Sequence, residues 1–210
     1  MGSEMCIRDR VIGAIDPVPP PTDAQIAKGL KGKDYEALVI MGAMAGNYYL
    51  LEYMVNRGHD PNWTIAMFFE LSLRWNPSAW VVEEIAYQKT LEWILRKEMR
   101  DRSIYYPIHE LRDKRSKFDR IVDAFQGTAS NGALYVHKGQ TEFISQFSGY
   151  PDVTHVDVLD AGGMCMIKFP MYGVGVPKAG AGMAGPFGVG LNVPPGKVSN
   201  VRAIRRRGAP

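Results

Sequence analysis

Cysteine is scarce. The 210 residues hold two, Cys6 and Cys165, which cannot supply a four-ligand zinc centre, and the four histidines, His59, His109, His137 and His155, show no paired metal-ligand spacing. A disulfide framework and a structural zinc site are thus excluded, and reduced, cytosolic surroundings fit best. A dominant charge is also missing: 25 basic against 22 acidic side chains leave a formal net charge of +3, too little to mark the whole chain as a polyanion binder. Any contact with nucleic acid must be local, and Lys and Arg do gather between residues 96 and 120 and again at 202–207. No uninterrupted apolar run is long enough for a bilayer. The most apolar stretch, residues 37–55, is broken near its centre by Gly42, Gly46, Asn47 and Glu52, so it reads as a hairpin, and no membrane partner is expected.

What is there suits one globular domain, since hydrophobic residues make up 46% of the chain, enough for one ordinary core. The opening MGSEMCIRDR is charged and has no apolar segment of the kind a secretory signal carries. Its MCIRDR resembles translated sequencing-adapter read-through, so residues 1–10 are expected to be foreign to the fold and the natural reading frame to continue upstream. Residues 11–15 form an apolar strand that stops at Asp16-Pro17. Residues 35–43 and 48–55 are β-rich runs joined by Ala45-Gly46-Asn47, a hairpin composition. Asp60 before Pro61 opens an amphipathic helix to about Arg74. Beyond it the pattern predicts a strand over 79–85, a helix over 87–102, a strand over 105–111, a helix over 117–126, a short strand over 133–137, a helix over 141–148 and a last helix starting near His155. Such alternation implies an α/β fold, a mixed central sheet with a leading β-hairpin and helices on both faces. From Ala161 the composition turns to Gly, Pro and Ala without periodicity; residues 164–210 are expected to be a basic tail with no fixed conformation.

Carboxylates sit at the ends of three elements that such a sheet could bring together. They are Asp16 after the first strand, Glu83 or Glu84 in the later strand, and Asp157 in the first turn of the last helix, with Asp160 three residues on and on the same face. Convergent carboxylates without Cys or His suit Mg2+ or Mn2+, which take oxygen ligands, and a pair of such ions can activate water against a phosphodiester. A plainer reading stands beside each residue. Asp16 before proline can be a turn residue, and Asp157 and Asp160 can simply favour the helix dipole. Glu83 and Glu84 are harder to dismiss, because one of two successive strand residues must face the core beside Trp80, Val81 and Val82, where a carboxylate needs a partner.

The order of these motifs is similar to that of one family, the nuclease domain of phage terminase large subunits, a branch of the ribonuclease H-like superfamily. IGAIDP resembles its first strand, ending in the first catalytic aspartate, here Asp16. DYEALVIMGAMAGNYYLLEYMVNRGHDP resembles its hairpin and the lead into its first helix. VVEEIAYQK resembles the segment whose second acid lies three residues before an alanine and five before a glutamine, which selects Glu83, with Ala86 and Gln88 as markers. KFDRIVDAFQGTASNGALYV resembles the family's basic helix and the strand after it. YPDVTHVDVLDAGG resembles the ending with a histidine followed by two aspartates, where Val156 stands in place of the first and Asp157 takes the second. The resemblance covers residues 11–163.

It implies a two-metal endonuclease that cuts concatemeric phage DNA, with Asp16, Glu83 and Asp157 as catalytic metal ligands and Asp160 as a fourth acid. Lys114, Lys117 and Arg120 would contact phosphates of double-stranded DNA; as plain sequence they equally fit a solvated helix face. The cofactor would be Mg2+ or Mn2+. The expected partners are an upstream terminase ATPase domain, the portal protein and the terminase small subunit, in the host cell cytoplasm during virion assembly. No G-x-x-x-x-G-K-[ST] phosphate loop occurs in the sequence, so packaging ATPase activity is not expected of this chain alone. Two alternatives stay open: a docking module linking the motor to portal or capsid, its site weakened at Val156, and another ribonuclease H-like enzyme such as a resolvase or transposase.

Overall fold

A computed structural model of the chain describes residues 10–19, 23–24, 35–56, 61–83 and 86–173. The expected leader up to residue 9, the helix cap at Asp60, Glu84, and the tail from residue 174 with its Arg205-Arg206-Arg207 all lie outside those residues. Six strands form one mixed sheet: β1 (Val11–Asp16), β2 (Glu36–Met44), β3 (Asn47–Asn56), β4 (Ala79–Glu83), β5 (Ile108–Leu111) and β6 (Leu134–Tyr135). Their order is β5-β4-β1-β2-β3-β6. β1 is antiparallel to β2 and parallel to β4, so the first strand lies inside the sheet with neighbours on both edges. The β2–β3 hairpin turns at Ala45 and Gly46, both at positive φ (50° and 79°), the primed two-residue turn that matches strand twist.

Helices cover both faces. α1 (Pro61–Trp75) and α2 (Ala86–Arg102) bury Phe68, Leu71, Leu91 and Leu95 against Val11, Ile15, Leu38, Ile40, Trp80 and Val82. α3 (Lys117–Ser130), α4 (Thr141–Gly149) and α5 (Asp157–Lys168) bury Phe125, Phe143 and Leu159 against Ile12, Ala14, Val39, Met41 and Val81. Within β1 and β4 the residues alternate strictly between the two cores, as the pleat requires. In β3 the register shifts opposite Ile40 and Met41, so Tyr48 and Leu50 before the bulge and Tyr53 and Val55 after it reach the same core. Gly13 is the one core-facing gap in β1. A Cβ there would lie 2.6 Å from the ring of Trp80, which crosses it and donates its indole N–H to Ser72 Oγ at 2.8 Å.

Of the boundaries that differ from the sequence expectation, three have a clear physical reason. β5 starts at Ile108 rather than at residue 105, because Pro107 cannot donate to a ladder; its carbonyl instead accepts from Trp80 N at 2.8 Å. α3 runs on past Gly127 to Ser130, its Thr128 hydroxyl bonded to the Phe125 carbonyl at 2.9 Å. The larger correction concerns the tail. Ala161-Gly162-Gly163 does not begin it: those residues lie in the middle of α5, which continues to Lys168 and into a 3-10 turn, Phe169–Tyr172. Met164, Cys165, Met166 and Phe169 are all core residues. The small residues mark close packing instead, since a Cβ on Gly162 would come within 3.2 Å of the Phe125 ring on α3. Arg10, set aside with the leader, is half-buried at the start of β1.

Candidate active site

The alternation of β1 and β4 aims the acids. Asp16 has the parity of Ile12 and Ala14, and Glu83 that of Val81, so both belong to the face that carries α3 and α5. The last β1–β4 pair is Ile15 with Val82, which leaves Asp16 and Glu83 as the next residues on adjacent strand ends. α5 lies across β1 and β2 and against α3, bringing Asp157 and Asp160 of its first turn over those ends. Val156, at the cap position, offers no side-chain acceptor. Gln146 of α4 does that work: its Oε1 accepts from the Leu159 N–H at 3.0 Å, and its own amide is held by Glu142 at 2.9 Å. Val156 packs on the core, so the valine in place of the first aspartate leaves both remaining aspartates directed at the site.

α3 supplies two cations to the same place. Ser116 caps the helix by accepting from Asp119 N at 3.1 Å, which sets Lys117 in the first position and Arg120 one turn on. Lys117 Nζ lies 3.5 Å from Asp16, 3.4 Å from Asp157 and 3.3 Å from Asp160. Arg120 grips Asp160 with two bonds, 2.9 and 2.7 Å, and reaches Glu83 at 2.6 Å. The backbone N–H of Tyr35 donates to Asp157 at 3.3 Å, and the Tyr35 ring meets that of His155 edge-on. Burial drives the Asp16 carboxyl up to about 7; Lys117 opposes this, while Asp160, Asp157 and Glu83 reinforce it. Burial also works against the charge on Lys117 and on Arg120, yet the surrounding carboxylates hold both above their ordinary values.

The four predicted acids therefore meet, and two of the three predicted phosphate contacts meet them. Arg120 is 3% exposed and committed to two carboxylates, so it is a buried bridge rather than a surface phosphate contact. The i to i+3 spacing showed that Lys117 and Arg120 share a face, but not that this face looks inward. Lys114 stays exposed outside the cluster. Much of the basic run upstream is neutralised locally: Arg96 pairs with Glu92, Lys97 with Asp101 and Arg102 with Glu98 along α2. Among the described residues no three His, Cys, Asp or Glu side chains stand arranged to hold a metal ion, because Lys117 and Arg120 lie between the carboxylates. The donor set nevertheless fits a hard divalent cation in kind: oxygen only and drawn from three elements.

A mixed sheet in this order, with acids closing the ends of β1 and β4 and a helix carrying two more across them, defines a ribonuclease H-like α/β domain. The chain belongs to the terminase RNaseH-like domain family, whose model matches residues 25–169, more than half its length. The match reaches the end of α5 and leaves β1 with Asp16 just outside. It makes the domain a nuclease of the ribonuclease H-like class and favours a terminase over a resolvase or transposase. Among solved structures, the human cytomegalovirus terminase nuclease domain, soaked with Mn and bound to an inhibitor, superposes with a TM-score of 0.51 at 12% identity, over 75% of this chain and 81% of that one. Fowlpox virus resolvase with Holliday junction DNA gives 0.45 at 11% identity, over 77% and 97%. Thermus thermophilus RuvC with a Holliday junction gives 0.45 at 15%, over 80% and 98%. No curated protein matches the chain in sequence. No described helix is long and apolar enough to cross a membrane.

Proposed function

We propose that this domain is a divalent-metal-dependent endonuclease of a viral DNA-packaging terminase, hydrolysing phosphodiester bonds of double-stranded DNA, with concatemeric phage DNA as its substrate. The observation that carries the reading is the meeting of Asp16, Glu83, Asp157 and Asp160, from two strand ends and one helix turn, in a single half-sheltered cluster. Asp16, Glu83 and Asp157 would hold Mg2+ or Mn2+, with Asp160 as the fourth acid. When bound, two such ions supply an activated water and neutralise charge at the phosphodiester. Arg120 keeps Asp160 and Glu83 at a fixed separation. Tyr35 and Gln146 fix Asp157 and the helix turn that carries it, and Lys117, partly exposed at the rim, is the cation available to a phosphate. On this reading the domain works in the host cell cytoplasm during virion assembly, with an ATPase domain, the portal protein and the terminase small subunit as partners.

The test is cleavage of supercoiled plasmid by this chain with Mn2+ or Mg2+, against Asp16→Ala. Cutting by the parent and none by the variant is expected; a variant that cuts as fast as the parent overturns the assignment. One observation favours a second reading, a docking module without catalysis: Lys117 and Arg120 already neutralise the carboxylates. Calorimetric Mn2+ titration separates the two, since a docking module takes up no Mn2+ through these acids.

A further inference from the structure

Resting on the metal-dependent reading, we propose that Lys117 is a positioning residue that holds Asp16, Asp157 and Asp160 together in the metal-free protein and yields its place when a divalent cation binds. The two cations of the cluster are built differently. Arg120 is buried and bonded at 2.6 to 2.9 Å to its two partners. Lys117 stands 3.3 to 3.5 Å from three carboxylates, shared among all and tightly bonded to none. Its side chain is 41% exposed, so a route to solvent is open. A flexible four-carbon stem lets the ammonium turn outward without disturbing α3, which a guanidinium clamped on two sides cannot do.

The place of Lys117 in the helix points the same way. It occupies the first position of α3, where the helix dipole disfavours a cation. The carboxylates outweigh that cost, three of them lying within 3.5 Å of its ammonium. Without it, the ionised acids of the cluster would share one guanidinium, and repulsion among them would loosen the first turn of α5. A metal ion contacts oxygen ligands at about 2.1 Å, and its double charge repels an ammonium touching the same oxygens. Lys117 therefore preassembles the acids for the cation that displaces it, and once released its ammonium is free for a phosphate beside the cluster.

The experiment is amine acylation with N-hydroxysuccinimide acetate, read lysine by lysine by peptide mapping, on the full chain with and without saturating Mn2+. Lys117 should react at least about tenfold faster with Mn2+, given the strength of charge pairing near a protein surface, while exposed Lys114 keeps its rate. An unchanged or slower rate at Lys117 overturns the proposal. Mn2+ uptake with no change at Lys117 removes this proposal alone, whereas no Mn2+ uptake by the parent removes the metal-dependent reading with it.

Discussion

Asp16 holds its proton to about pH 7 because burial strips its carboxylate of water; Lys117 lowers the value, and Asp160, Asp157 and Glu83 raise it. The folded value lies above the ordinary 3.8 of an unfolded chain, so between about pH 4 and pH 7 the folded state retains a proton that the unfolded state has released. Stability is therefore lost as pH rises through that window, and the loss is complete above it. Asp16→Asn should raise the thermal midpoint of the metal-free protein at pH 8 by at least about 3 °C, with the gain gone below about pH 4. A variant no more stable than the parent at pH 8 would contradict this account. That a carboxylate closes the first strand was legible in Asp16-Pro17, but its face was not, since Val11, Ile12, Ala14 and Ile15 are apolar at both parities. Nor was the partnership with Lys117, because helical spacing says which residues share a face and not what that face meets.

Among the elements, β1 and β4 depend on one missing side chain. Gly13 lets Trp80 lie across the strand, and a methyl group there forces the indole away from Ser72. Gly13→Ala should cost about 2 kcal/mol in urea denaturation, and the loss should shrink when Trp80→Val is made in the same chain, the signature of direct contact. Additive losses would show that the two residues do not meet. Glycine read differently at Gly162 and Gly163. Local composition there is that of an unstructured segment, and only the apposition of α5 with Phe125, from a helix some forty residues earlier by the numbering of Gly162, shows why nothing larger fits. The cap on α5 was hidden for the same reason: Val156 lacks an acceptor, and the one used, Gln146, comes from another helix.

For the molecule as a whole, the extended α5 sets where the domain ends. A chain stopped at Gly163 loses Met164, Cys165, Met166 and Phe169 from the core, whereas one stopped at Gly173 keeps them. The shorter chain should show no cooperative thermal transition by circular dichroism and the longer one should unfold cooperatively; equal transitions would contradict the core assigned here. The hairpin and the helices follow from residue patterns, because alternation and helical period are local properties, whereas the strand order β5-β4-β1-β2-β3-β6 pairs distant segments and was not legible. Nor was the tail boundary, since packing between distant segments decides it.

β1 opens the described chain and α5 closes it, yet their acids share one lysine. No growing chain on a ribosome can own this cluster until the last helix has been made and has docked. Synthesis thus delivers the sheet first and α5 afterwards, so an unfinished copy carries Asp16 and Glu83 without Asp157 and Asp160.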